Sequence, residues 1–338
     1  MADGSELLAA LPPAQVRLLA VAPPGRELAA RPMLATLSEG REFSPRWLFE
    51  RKWDGVRALA VREADGVALW SRSGRRIDAT YPEVAAALTA QDRPDFTLDG
   101  EIVAFRGGRT DFALLQQRMG LTRSAQVAAS GVTVAYCVFD LLRLAGADTR
   151  RLPLRTRKSL LRRALAYRAP LRFTPHRNEG GADLLAAACA RGWEGLIAKR
   201  ADSRYQPRRS TDWLKLTCSQ GQEFVIGGFT EPEGGRSGFG ALLLGTYTGP
   251  DLRYAGKVGT GFPAPLLVTL RARLDALRRT RSPFTGAVAE PRARWVEPSL
   301  VARVEFAQWT RAGRLRHPRF TALREDKDPR DVVRERAG

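Results

Sequence analysis

Apolar residues in this chain come in short bursts, and that most restricts what it can fold into. Strand-like runs cover Leu48–Lys52, Val67–Trp70, Thr97–Phe105, Val132–Leu142 and Gly195–Arg200, with Gly, Pro and Asp-Gly punctuation between them. Helical spacing shows only at Tyr81–Ala90, Arg155–Ala166 and Ala182–Arg191. Many short strands with irregular crossovers predict an α+β domain of antiparallel sheets with flanking helices. No apolar run approaches the roughly 18 residues that span a bilayer. The N-terminus is acidic and Pro-broken, unlike a secretory leader.

The texture changes near Thr217–Gly221. Strands are expected at Phe224–Phe229, Ala241–Tyr247, Leu252–Val258 and Val301–Trp309, and an amphipathic helix at Ala264–Arg279 carries Leu266, Leu267, Leu270, Leu274 and Leu277 on one stripe. Four or five strands and one helix match the size of an OB-fold barrel. The expected division is a loosely ordered lead-in over 1–30 with a helix near Gln15–Val21, a first domain over 31–219 and an OB-fold domain over 220–338. The Gly-rich stretch Gly234–Gly240 reads as a hairpin loop, since no helix start follows it to cradle a phosphate.

The 338 residues hold 55 Lys or Arg against 36 Asp or Glu, a net charge of +19. The excess is split between the regions, +12 over 1–219 and +7 over 220–338, with no polybasic tail. A duplex nucleic acid gripped by both domains fits that split. An arginine-rich genome that inflates the count is the alternative reading. Only His176 and His317 are present, which disfavours histidine-based metal sites. Cys137, Cys189 and Cys218 are scattered and odd in number, and read as reduced thiols filling the core of a cytoplasmic protein.

Within the cations, six are Lys and 49 are Arg. A chain so biased keeps Lys where guanidinium cannot serve, as a nucleophile or a compact phosphate-binding charge. One lysine stands in Glu50-Arg51-Lys52-Trp53-Asp54-Gly55-Val56-Arg57, at a strand end before an Asp-Gly turn. The turn can aim the Lys52 amine into a cleft, Asp54 and Arg57 offering an acceptor and a fork of donors. A nearby cation such as Arg57 is expected to favour the nucleophilic amine.

This octapeptide resembles the first motif, Lys-x-Asp-Gly-x-Arg, of the nucleotidyltransferase superfamily of ATP-dependent DNA ligases and mRNA capping enzymes. Six further segments resemble its later motifs in order: Ser71–Gly74, Leu98-Asp99-Gly100-Glu101, Val138-Phe139-Asp140-Leu141, Glu194–Lys199, Trp213–Leu216, and Arg319-Phe320 with Arg324-Glu325-Asp326-Lys327. The stretches Arg31–Ala35, Gln222–Gly228, Arg236–Gly240 and Tyr254–Gly259 are most similar to the ligase module of bacterial non-homologous end-joining DNA ligases.

The resemblance implies an ATP-dependent DNA ligase that seals 5′-phosphate/3′-hydroxyl nicks through a lysyl-AMP intermediate on Lys52 and adenylylated DNA. It implies that Glu50 reads the adenine amino group, that Phe139 stacks on adenine, and that Arg57 and Arg72 contact the ribose and the 5′-phosphate. Glu101 and Glu194 would meet the ribose and a Mg2+ or Mn2+ ion. Lys199 and Lys215 would neutralise the α-phosphate, while Arg324 and Lys327 would orient pyrophosphate when the domains close. Nicked duplex DNA is the implied partner, with a Ku-type end-binding protein as a further candidate. The chain is expected to be a monomer, associated with the nucleoid and not with a membrane.

One position departs from the family pattern: Thr217 stands where a second motif lysine is usual, with Arg208 or Arg209 as candidate substitutes. An RNA ligase or GTP-using capping enzyme is the first rival reading, which the Arg-Glu-Asp-Lys form of the last motif disfavours. A catalytically weak ligase-like clamp is the second, with Thr217 as its support.

Overall fold

The computed structural model describes residues 4–38, 43, 46–93, 95–218, 221–232, 238–306, 308–310 and 312–335. The chain forms two compact units, Met1–Cys218 and Ser219–Glu335.

The first unit is built on two sheets. One has the order Ala20–Val21, Ala147–Asp148, then Val134–Leu144, Phe96–Arg106, Val56–Glu63 and Gly66–Ser71. The other has the order His176–Arg177, Trp47–Arg51, Gly195–Arg200, Arg209–Thr217 and Leu34–Leu37. In chain order we label Leu34–Leu37 β1, Trp47–Arg51 β2, Val56–Glu63 β3, Gly66–Ser71 β4, Phe96–Arg106 β5, Val134–Leu144 β6, Gly195–Arg200 β7 and Arg209–Thr217 β8. Helices Leu154–Ala164 and Gly181–Ala190 are α1 and α2. Most pairings are antiparallel, but β8 runs parallel to β1, and Leu171–Phe173 runs parallel to β6.

The period-2 rule sorts the second sheet's side chains. Glu50, Ile197 and Lys215 lie in register across β2, β7 and β8, with Lys199 opposite Trp213 two residues on. That row carries charge. The alternate row, Phe49, Leu196, Ala198 and Leu216, is buried with Leu185 and Ala188 of α2. The sheet therefore turns an apolar face to a helix and carries its charged residues on the other.

Two expectations are corrected here, and one strand, β3, is added. Residues 4–30 are not a loose lead-in: they form helices Ser5–Ala9, Pro13–Val16 and Gly25–Ala30, and Ala20–Val21 pairs with Ala147–Asp148. Leu28 and Ala29 are buried beside Met33 and Leu59, so the segment supplies core. Strand β3 carries no clean apolar alternation because Arg57 and Arg62 interrupt it. Both are satisfied internally, Arg57 by Asp99 and Arg62 by the carbonyls of Leu88 and Gln91 at 2.9 and 2.6 Å. Finally, Cys189 and Cys218 are joined in a disulfide, with Cα atoms 5.3 Å apart and a sequence separation of 29. Only Cys137 is a free buried thiol, which burial pushes up to about 12.

The second unit is an OB-type barrel. Its sheet runs Asp251–Val258 (β11), Leu242–Thr248 (β10), Gly221–Thr230 (β9) and Ala293–Glu305 (β12), then Arg278–Arg279; Arg319–Leu323 (β13) also pairs with β12. Helix α3, Ala264–Ala276, buries Leu267, Leu270 and Leu274 against Phe224, Phe229, Phe239 and Phe320. Each fully buried leucine contributes roughly 1.5–3 kcal/mol. The helix stops before the expected Arg279 because Arg278 and Arg279 pair with Val296 and Trp295 as a strand. The stretch 234–240 falls outside the described residues except for 238–240. Among the described residues no helix is long and apolar enough to cross a membrane.

Candidate active site

Lys52 sits where the chain passes from one sheet of the first unit to the other. Strand β2 ends at Arg51 and β3 begins at Val56, so residues 52–55 make the whole crossing. The Lys52 amide still donates to the Gly195 carbonyl at 3.0 Å, which extends the β2–β7 ladder by one residue and fixes where the side chain starts. Two glycines make room. A Cβ on Gly55 would lie 2.1 Å from the Ile102 carbonyl oxygen. Gly195, at φ +141°, would bring a Cβ to 2.0 Å from the Leu216 oxygen.

The Lys52 Nζ donates to Glu194 Oε1, and both side chains are largely but not wholly buried, at 18% and 11% exposure. The expected cation is not the group Lys52 meets. The Arg57 guanidinium forks onto Asp99, with Nη2 to Oδ2 at 2.6 Å, and also reaches the Met33 carbonyl at 3.1 Å. Burial disfavours that charge, but Asp99 outweighs burial and holds the Arg57 pKa above its ordinary value. Tyr205 completes the clamp: its hydroxyl donates to Asp99 Oδ2 at 2.6 Å and accepts from the Met33 amide at 2.9 Å.

Behind Lys52 lies a buried charge triad. Glu50 Oε1 meets Lys158 Nζ at 2.6 Å, and Oε2 meets Lys199 Nζ at 2.6 Å, all three side chains at 2% exposure or less. Burial would raise the Glu50 carboxyl, but the two lysines overcome it and hold it below its ordinary value. Burial lowers Lys199, and Glu50 offsets this only in part. Lys158 also donates to the Thr174 carbonyl at 2.7 Å, so α1 is tied both to β2, through Glu50, and to the residue after Leu171–Phe173. The Phe139 ring is covered on several sides: Arg57 Cζ lies 4.8 Å from its centroid, Lys199 Nζ 4.3 Å, and Trp213 meets it edge-on at 6.1 Å. Next to Phe139, Asp140 holds Arg157 through Nε–Oδ1 at 2.7 Å and Nη2–Oδ2 at 2.9 Å, both side chains fully buried.

The structure thus gathers Glu50, Lys52, Arg57, Phe139, Glu194 and Lys199 into contacting pairs. Lys215 shares the charged row of the second sheet, and Glu101 stands opposite Arg57 and Cys137 on β5. Asp54 is half-buried in the crossing, and Arg72 is half-buried in the turn after β4. Arg324 and Lys327 belong to the second unit. There Arg324 is buried against Asp326 at 2.8 and 2.9 Å, and the Lys327 amide donates to the Arg324 carbonyl at 3.4 Å. Arg208 and Arg209, the suggested substitutes for a lysine at 217, are engaged elsewhere: Arg208 donates to Gln206 Oε1 at 2.9 Å and Arg209 to the Ala35 carbonyl. Among the described residues no three His, Cys, Asp or Glu side chains form a metal cage. Glu101 and Glu194 still suit a hard divalent cation, which takes one or two carboxylates and fills its shell with waters and substrate phosphates.

Residues 32–217 match the family model "ATP dependent DNA ligase domain", and residues 235–327 match "ATP dependent DNA ligase C terminal region". The chain belongs to the ATP-dependent DNA ligases. It is 42% identical over 322 residues to the Multifunctional non-homologous end joining protein LigD of Pseudomonas aeruginosa, covering 90% of this chain and 36% of that protein. With the LigD DNA repair protein of Mycobacterium tuberculosis the identity is 40% over 314 residues, covering 90% and 40%. This ligase therefore spans well under half the length of those curated relatives. Among solved structures it is similar to a mycobacterial DNA ligase D complexed with ATP and MES, with TM-score 0.60, 36% identity, and coverage of 90% of this chain and 98% of that one.

Several residues of this ligase site were not singled out from sequence. Asp99 and Asp140 lay inside motifs whose other members drew attention. Lys158 carried a readable signal, being one of six lysines outside a sea of arginine. Trp213 likewise lay inside the Trp213–Leu216 motif; Arg157 and Tyr205 carried no signal, and only the fold brings them in.

Proposed function

We propose that this ligase chain seals 5′-phosphate/3′-hydroxyl nicks in duplex DNA with ATP as the co-substrate. The observation that supports it most is the Lys52–Glu194 pair at the sheet crossing, inside a domain of the ligase family. In the first step the Lys52 amine attacks the α-phosphorus of ATP, pyrophosphate leaves, and Glu194, in contact with Nζ, is the group in place to take the amine proton. The DNA 5′-phosphate then displaces Lys52 from AMP, and the 3′-hydroxyl displaces AMP to join the strands. Lys199 and Lys215 supply positive charge on the row facing this chemistry. Glu50 keeps Lys199 in place from below.

Glu101 and Glu194 would hold the divalent ion, Mg2+ or Mn2+, which offsets phosphate charge when bound. Glu50 and Phe139 remain the proposed adenine contacts, and Arg57 and Arg72 those of ribose and 5′-phosphate. Asp54 is assigned to the crossing turn that presents Lys52. Arg324 and Lys327 are assigned to pyrophosphate orientation by closure of the second unit. A role in end joining beside a Ku-type end-binding protein is the biological reading. Incubation with α-labelled ATP, a divalent metal and nicked duplex tests the proposal: label on the protein and sealed product are expected, and neither product would overturn it.

A further inference from the structure

Arg51 and Trp53 flank Lys52 in sequence and take part in a continuous stack. The Arg51 guanidinium lies between two indoles, 4.4 Å from the Trp53 ring centroid and 4.6 Å from that of Trp193. Trp53 then meets Phe105 edge-on at 6.2 Å, and Arg172 covers Phe105 at 4.8 Å. At the other end Arg191 lies 5.6 Å from the Trp193 centroid. Arg109 rests over Gly192, where a Cβ would come within 3.1 Å of its Nη1. Guanidinium groups and aromatic rings thus follow one another from Arg191 to Arg172, with Trp53 and Phe105 adjoining in the middle. Arg109, Arg172 and Arg191 are exposed.

The stack differs from four of the unit's other stacked arginines in one respect, though not from Arg26 on Trp70 or Arg62 on Phe96. Arg57, Arg76, Arg118 and Arg157 each stack on an aromatic ring and each hold a carboxylate, from Asp99, Asp78, Glu83 and Asp140. Among the described residues no carboxylate pairs with Arg51, Arg109, Arg172 or Arg191. Arg51 has a single hydrogen bond, to Thr110 at 3.5 Å, and its Nε is buried without a partner. Four cations without a carboxylate repel one another, and stacking fixes the planes of Arg172 and Arg191, whose exposed N–H edges stay available. Such an edge suits an oxyanion, and a row of them suits a polyanion.

We propose that Arg172 and Arg191 on their aromatic partners and Arg109 over Gly192, together with Arg51 between its two indoles, form a docking surface for the sugar-phosphate backbone of duplex DNA beside Lys52. The proposal rests on the ligase reading for its partner. The aromatic residues serve to hold the cations; the phosphates are what the surface binds. Contacts of this type position a duplex without reading its sequence, so affinity is expected to vary little with the bases flanking a nick.

The test compares two triple variants of the full chain. Arg109, Arg172 and Arg191 are changed to Gln in one; in the control, Arg123, Arg162 and Arg163, exposed elsewhere on the same unit, are changed to Gln. Binding of labelled nicked duplex is measured over a salt series, and lysine adenylylation is measured without DNA. The stack variant is expected to lose about tenfold or more in affinity, and its log–log salt slope should fall by about 2–3, near one for each phosphate no longer neutralised. Its adenylylation rate should stay within about twofold of wild type, and the control should keep the wild-type slope. Equal losses in both triples would reduce the effect to total charge and overturn the proposal. So would slowed adenylylation with affinity intact, which would make the stack a support for Lys52 alone. Wild-type protein that binds duplex but never seals nicks would instead remove the ligase reading, with the salt slopes still measurable.

Discussion

At Glu50 one carboxylate holds two buried ammonium groups, Lys158 and Lys199. Glu50→Gln would leave both cations without an anion, and breaking a buried pair in this way costs about 3–5 kcal/mol. Denaturant melts should show that loss, and they should show part of it restored when Lys158→Met is added, because one uncompensated charge is then removed. Equal stability of the single and double variants would mean that Lys158 does not share the Glu50 charge. The departure at Thr217 also belongs to this scale. Thr217 stands opposite Gly195, the residue after Glu194. Thr217→Lys is expected to speed sealing of pre-adenylylated nicks by about tenfold, equivalent to about 1.4 kcal/mol of barrier, because negative charge builds on the departing AMP. Lysine adenylylation should gain less. Single-turnover rates for both steps check this; equal gains would remove the differential argument.

Among the elements, β6 and α1 are joined by Asp140 and Arg157 at full burial. Burial raises the Asp140 carboxyl, but Arg157 outweighs it, so the folded pKa lies below the ordinary carboxylate value. The unfolded chain then takes up the proton first as pH falls. Stability from this pair is present above the unfolded pKa of about 4 and is lost as pH drops through the folded value. Urea melts from neutral to acid pH should show the decline, with a shallower slope in Asp140→Asn; identical slopes would contradict it. The disulfide joins the end of α2 to the residue after β8 and closes a loop of 29 residues. Its reduction should cost about 3–4 kcal/mol in the chain-entropy account, about 10 °C in Tm for a unit of this size. An unchanged Tm under reductant would show that Cys189 and Cys218 are not joined in solution. The sequence made these elements legible to different degrees. β7 was readable to the residue, because a six-residue run between punctuation has one reading. β3 was not, since two arginines break its pattern and only their distant partners explain them. The disulfide was invisible because loop spacing says nothing about which thiols the fold brings within 5.3 Å.

For the whole molecule, two sheets of the first unit meet at a four-residue crossing that carries Lys52, and the proposed duplex DNA partner gives the net charge of +19 a use. The motifs made the charged residues of the candidate site readable, some at the crossing or just before a strand, as Lys52 and Glu194, and others within a strand, as Glu101 on β5 and Lys215 on β8. The clamps behind them, Asp99 on Arg57 and Lys158 on Glu50, depended on tertiary contacts. The most direct test of the central claim is covalent labelling by α-labelled ATP in wild type and in Lys52→Arg. Arginine keeps the charge but cannot act as the nucleophile. Label retained on the wild-type protein and lost in Lys52→Arg, with affinity for nicked duplex nearly unchanged, is the predicted result; appreciable label on Lys52→Arg would contradict the assignment of Lys52.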